Sequence, residues 1–236
     1  FFWQEDVVPW IELYHDLFSA PAHTHPQPSD IRLFRTTASY SDLQNAGLFE
    51  GEPKQKIIYI YRDLVDVYYS LFFYFPALFQ VDSVSIHLED FIWCARILLA
   101  DRSLWSLVHF WRRRHDPDVL VLFFDELYCD TQASTVRRTA AFLGMEDTPT
   151  DLIEQVAAQT THHVMSSDDH WDRFSGMSVS VMVAQRLKRN YRYDLEPYLG
   201  KVSRIGGKQG MGRRMVGEQT LDMLQCRWNA IVTREL

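Results

Sequence analysis

Between residues 56 and 75 the hydrophobic pattern changes its period in mid-run. Ile57-Ile58-Tyr59-Ile60-Tyr61 is unbroken, β-branched and aromatic, and of strand length, which predicts a strand buried on both faces. Arg62-Asp63 ends it. Asp63 is placed to cap a following helix, Asp66 adds a carboxylate to its first turn, and the helix then carries Ser70. A second apolar run at residues 119–124, closed by Asp125-Glu126, predicts another buried strand, and residues 31–35 form a shorter candidate ending in Arg35-Thr36-Thr37. Helical spacing of apolar residues falls at 89–100 (Phe91, Ile92, Cys94, Ala95, Leu98, Leu99) and again at 104–114, which predicts two successive helices. A further helix over 131–143 is stopped by Gly144. Thr148-Pro149-Thr150-Asp151 offers a cap, a first-turn proline and an acid to a helix through Ile153, Val156 and Ala157, and residues 218–233 predict the last one. Near the start, Pro9 opens a short helix over residues 10–15.

Strands near 31, 57 and 119 separated by helical stretches imply an α/β chain with a central, mostly parallel sheet flanked by helices. Three strands are too few for such a sheet, so a further strand is expected before residue 1. The chain begins at Phe1 rather than Met, which fits a fragment. A length of 236 residues with 47% hydrophobic positions is enough for one domain with a substantial core, taken here as 1–236.

Charge narrows the partners. A formal net charge of −7 argues against a broad phosphate-backbone footprint, so no nucleic acid is expected, whereas a small anion needs only a few local cations. The most apolar segment, 67–81, is interrupted by Ser70, Pro76 and Gln80 and falls short of the roughly 20 residues of a membrane span. No membrane association is expected. Cys94, Cys129 and Cys226 are scattered without metal-type spacing, the usage of a reducing compartment, and point to the cytoplasm. His23 and His25 lie in a proline-rich loop, and the rings of His162 and His163 diverge on a helix, so no metal is expected. A homo-oligomer is left open.

Arg62 and Ser70 form the best-defined constellation. Guanidinium gives planar recognition of phosphate, and a hydroxyl on the next helix adds a neutral donor at the strand end where open α/β sheets bind ligands. An ion pair of Arg62 with Asp63 or Asp66 explains the same residues equally well. The glycine-basic tract at 204–214 lets backbone N–H groups approach an anion while Arg204 and Lys208 neutralise it. It is neither a phosphate loop of the P-loop NTPase type nor a dinucleotide fingerprint, and taken alone it reads as a surface loop. A hydrolase nucleophile elbow is absent.

In order along the chain these pieces resemble the cytosolic-type sulfotransferase family. Val8-Pro9-Trp10-Ile11-Glu12 is similar to the segment after its first helix, and Arg32-Leu33-Phe34-Arg35-Thr36-Thr37 to a strand that normally ends Lys-Thr-His. The strand, Arg62-Asp63, Asp66-Val67 and Ser70 order is the most specific match. Val121-Leu122-Phe123-Phe124-Asp125-Glu126 resembles the strand ending Leu-Phe-Tyr-Glu-Asp, Val136 to Gly144 resembles the helix ending Phe-Leu-Gly, and Arg204-Ile205-Gly206 resembles Arg-Lys-Gly. The resemblance implies a three-layer sulfotransferase fold related to P-loop NTPases and lacking its first strand and phosphosulfate loop. It implies the cosubstrate 3′-phosphoadenosine 5′-phosphosulfate and a small-molecule acceptor bearing a hydroxyl or amine. Aromatic stretches at 1–18 and 72–79 favour an apolar or aromatic acceptor.

By the same resemblance Arg62, Ser70, Arg204 and Gly206 hold the 3′-phosphate, and Phe124, Thr160 and Thr161 lie at the adenine. Arg35 and Thr37 stand at the catalytic positions. Arg35 keeps the charge of the family's lysine, whereas Thr37 replaces a histidine and cannot take a proton near neutral pH. That substitution opens an alternative, a degenerate member that binds adenosine 3′,5′-bisphosphate or a partner without turnover. A P-loop kinase is a third reading, which needs an upstream Gly-x-x-x-x-Gly-Lys-Ser/Thr.

Overall fold

The computed structural model describes residues 36, 38–45, 47, 55–78, 87–127, 132–165, 181, 184–185, 188, 190 and 210–236. The expected helix near Pro9, the strand at 31–35, the His23/His25 loop, Cys129 and residues 204–209 lie outside the described residues.

In chain order the elements are α1 (Tyr40–Asn45), β1 (Ile57–Tyr61), α2 (Leu64–Leu78), α3 (Leu88–Arg112), β2 (Val119–Phe123), α4 (Gln132–Phe142), α5 (Thr150–Gln159), α6 (His162–Met165), α7 (Met211–Met215) and α8 (Glu218–Trp228). A 3₁₀ turn, Phe124–Leu127, follows β2, and a π-helical turn, Asn229–Thr233, extends α8. β1 and β2 pair in parallel with Ile57 opposite Val119 and Tyr61 opposite Phe123. Parallel strands need a crossover, and α2 and α3 supply it.

The apolar runs make β1 and β2, as the pattern predicts, but β1 is only half-buried rather than buried on both faces. Tyr59 stacks on Phe110 of α3 with ring centroids 4.4 Å apart and Tyr61 lies 6.0 Å from Trp228 of α8, whereas Ile60 on the opposite face is 50% exposed. Helices α3 and α8 cover the face of the odd-numbered residues, whereas on the other face Ile58 is half-buried and Ile60 exposed. A second correction concerns α3. Residues 89–100 and 104–114 are one continuous helix, because Asp101-Arg102-Ser103 contains neither glycine nor proline to stop it. Its carboxyl end carries three arginines, of which Arg112 pairs with Glu235 at 2.6 Å and Arg113 with Asp116 at 2.7 Å.

The start of α5 also differs from expectation. Pro149 itself is the cap residue, its carbonyl accepting from the Ile153 N–H, while the Thr148 hydroxyl turns back to donate to the Met145 carbonyl. Gly144 does end α4 in the left-handed region, at φ +85°. The main core joins α2, α3 and α8: Tyr68, Ile92, Leu104 and Val108 are fully buried, and Val216, Leu224, Ile231 and Val232 close it from the far end of the chain. Each such side chain contributes about 1.5–3 kcal/mol relative to exposure. A smaller cluster of Leu43, Phe110, Val119 and Val121 lies under α1. No helix among the described residues is long and apolar enough to cross a membrane.

Candidate functional site

The carboxyl ends of both strands meet at one place, and the register decides what meets there. Tyr61 is opposite Phe123, so the next residues, Arg62 and Phe124, leave the sheet side by side. The Arg62 guanidinium carbon lies 4.5 Å from the centroid of the Phe124 ring. Such a cation–π contact is worth about 0.5–2 kcal/mol. The Arg62 Nε is buried and has no hydrogen-bond partner. A buried, unmatched N–H costs about 1–3 kcal/mol.

Neither neighbouring carboxylate serves Arg62. The Asp63 Oδ1 accepts from the Val65 N–H at 3.0 Å, the expected cap of α2, and its Oδ2 accepts from Arg213 at 2.7 Å. That pair also raises the Arg213 pKa above its ordinary value. Asp66, only 4% exposed, accepts from the Gly210 N–H at 2.7 Å through Oδ2 and from the Gly212 N–H at 2.9 Å through Oδ1. The ion-pair explanation of Arg62 is therefore removed: both acids are committed to residues 210–213.

Ser70 is exposed on α2, six residues beyond its first residue and so about 9 Å along the axis. A cavity of about 330 Å³ opens beside the strand ends, lined by Tyr61, Phe123 and Phe124, by Asp63, Asp125 and Arg213, and by Leu221, Leu224, Gln225 and Trp228 of α8. Burial first, and then the charge of Asp63, pushes the Tyr61 hydroxyl well above the usual phenol range, so it is a neutral donor.

Thr160 and Thr161 sit at the carboxyl end of α5. The Thr160 hydroxyl donates to the Val156 carbonyl and accepts from the Gln132 amide, each at 2.9 Å, and the Thr161 hydroxyl donates to the Ala158 carbonyl at 3.2 Å. These bonds stay within the α4–α6 group and do not bring the two threonines to Arg62. Arg35, Thr37, Arg204 and Gly206 lie outside the described residues. What the sequence reading missed is the seat of the glycine tract. Asp66 and Gly212 are 146 positions apart, and no local pattern marks their contact.

Two parallel strands joined through α2 and α3, with Arg62 and Phe124 at their carboxyl ends, define an α/β protein. The model of the sulfotransferase domain matches residues 1–181, and the chain belongs to that family. It is similar to the luciferin sulfotransferase of Photinus pyralis, 27% identical over 197 residues that make up 80% of this chain and 48% of that protein. Among solved structures it is similar to retinol dehydratase in complex with androsterone and the inactive cofactor PAP, with a TM-score of 0.67 at 19% identity over 94% of this chain and 60% of that one. The complex of retinol dehydratase with retinol and PAP gives a TM-score of 0.62 at 19% identity over 97% of this chain and 64% of that one. The fold is thus the α/β sulfotransferase fold, and the chain spans about half the length of the curated relative it matches.

Proposed function

We propose that this chain is a single sulfotransferase domain that transfers a sulfuryl group from 3′-phosphoadenosine 5′-phosphosulfate to a hydroxyl or amine of a small, apolar or aromatic acceptor. The observation that carries the reading is Arg62, held over the Phe124 ring at the ends of two parallel strands with a buried Nε that has no hydrogen-bond partner. A dianionic 3′-phosphate supplies that acceptor. Ser70 adds a hydroxyl from the next helix, and Arg204 and Gly206 bring charge and backbone N–H groups from the glycine tract. Phe124 packs on the adenine, with Thr160 and Thr161 at its edge. The family membership and the PAP complexes of retinol dehydratase support this assignment. Cys94 and Cys226 are exposed free thiols, which suits a cytoplasmic protein.

Replacing Arg62 with Ala is expected to weaken binding of adenosine 3′,5′-bisphosphate at least about tenfold, the loss of one charge-assisted pair. Calorimetric titration measures it, and unchanged affinity removes the assignment.

Thr37 in place of the family's histidine favours a second reading, a member that binds the nucleotide without turnover. Sulfate transfer from labelled donor to a panel of phenols, alcohols and amines separates the two. Robust transfer sinks the second reading, and transfer with Thr37 in place requires another base.

A further inference from the structure

The turn that presents Phe124 to Arg62 is held from outside the strand pair, by α4. Residues 124–127 leave β2 as a 3₁₀ turn, whose own hydrogen bonds have poorer geometry than those of an α-helix. Arg138 of α4 braces it. One terminal nitrogen of the guanidinium donates to the Glu126 carboxylate at 3.2 Å, and the other donates to the Val121 carbonyl of β2 at 3.3 Å. These two anchors lie on either side of Phe124, so the fork spans the bend at which the chain leaves the sheet. The same Glu126 oxygen accepts from the Phe123 N–H at 3.5 Å. On the same face of α4, the Thr135 hydroxyl donates to the Glu126 carbonyl at 3.3 Å, and Thr135 is only 2% exposed. Helix α4 thus grips Glu126 through its side chain and its main chain together.

The bend carries the ring on which Arg62 depends. With Asp63 committed to Val65 and Arg213, and Asp66 to Gly210 and Gly212, the Arg62 guanidinium rests over Phe124 with its carbon 4.5 Å from the ring centroid. The Arg138 side chain is half exposed, and an exposed ion pair adds little to stability, so what the fork determines is geometry. We propose that Arg138 is a positioning residue for anion binding: by bridging β2 and the turn after it, it sets where the Phe124 ring stands and thereby where Arg62 meets its ligand. This rests on the reading of Arg62 as a 3′-phosphate contact. Arg138 spends its own guanidinium on Glu126 and Val121, and it acts through Phe124 rather than on the nucleotide.

A double-mutant cycle tests this, because residues that act through one another have non-additive effects. Calorimetric titration with adenosine 3′,5′-bisphosphate compares the unmodified chain, Arg138→Gln, Phe124→Leu and the double variant. Arg138→Gln is expected to weaken binding about threefold when Phe124 is present, and by less than about 1.5-fold once Phe124 is Leu. Glu126→Ala removes the other end of the fork, gives the same non-additive pattern and carries the test if Arg138→Gln does not fold. Unchanged affinity in Arg138→Gln overturns the proposal, and so does an equal loss in both backgrounds, which shows that Arg138 acts by a route other than Phe124. If Arg62→Ala weakens binding while Arg138→Gln and Glu126→Ala do not, the positioning role alone falls. If Arg62→Ala leaves the affinity intact, the 3′-phosphate reading falls and takes this one with it.

Discussion

Arg62 owes its geometry to Phe124, a residue that its own segment of sequence does not reveal. The arginine is legible locally, because an apolar strand stops at it and a capped helix starts after it. Phe124 is marked only by resemblance to a strand end that elsewhere carries tyrosine, and its stacking on Arg62 follows from the parallel register, which sequence does not display. Replacing Phe124 with Leu keeps the apolar volume and removes the ring. The guanidinium then loses its cation–π contact, and affinity for adenosine 3′,5′-bisphosphate is expected to fall about threefold to tenfold in calorimetry. Asp66 shows the opposite limit. Its sequence neighbourhood reads as an ordinary acidic first turn, and its partners lie more than a hundred positions away.

Strand and helix placement was legible wherever the pattern had a punctuation mark with one meaning. Gly144 is such a mark: its N–H donates to the Ala141 carbonyl, that of Met145 donates to the Ala140 carbonyl, and α4 ends as predicted. A Cβ there would meet nothing within 4 Å, so Gly144→Ala isolates the conformational cost of φ +85°. Urea unfolding is expected to show a loss of about 1 kcal/mol with nucleotide affinity unchanged. Punctuation failed where it was ambiguous or missing. The polar Asp101-Arg102-Ser103 looks like a break between helices, yet three helix-compatible residues leave the ladder of α3 intact. Thr148 has a capping side chain, but Pro149 fixes the chain so that the cap falls one residue later and the hydroxyl serves Met145 instead.

For the molecule as a whole, acid sensitivity should be traceable to the end of α3. His109 stacks on Tyr40 with centroids 4.8 Å apart, and burial first, then the charge of Arg112, lowers its pKa from 6.5, against an opposing effect of Glu235. The folded state therefore binds this proton less readily than the unfolded chain. Its contribution to stability is present above about pH 6.5 and is lost as the pH falls below that value. His109→Phe preserves a stacked ring without a titrating group, so the rise of the urea midpoint between pH 5 and 7 is expected to be shallower in the variant. The closure of the core from the far end of the chain has a temporal consequence. On the ribosome, α2 and α3 emerge long before Val216, Leu224, Ile231 and Val232, the residues that cover them. The inner faces of the crossover helices must wait uncovered through about a hundred further additions, at roughly 5–20 residues per second. For those seconds the inner faces of α2 and α3 stay open to solvent, until α8 arrives to cover them.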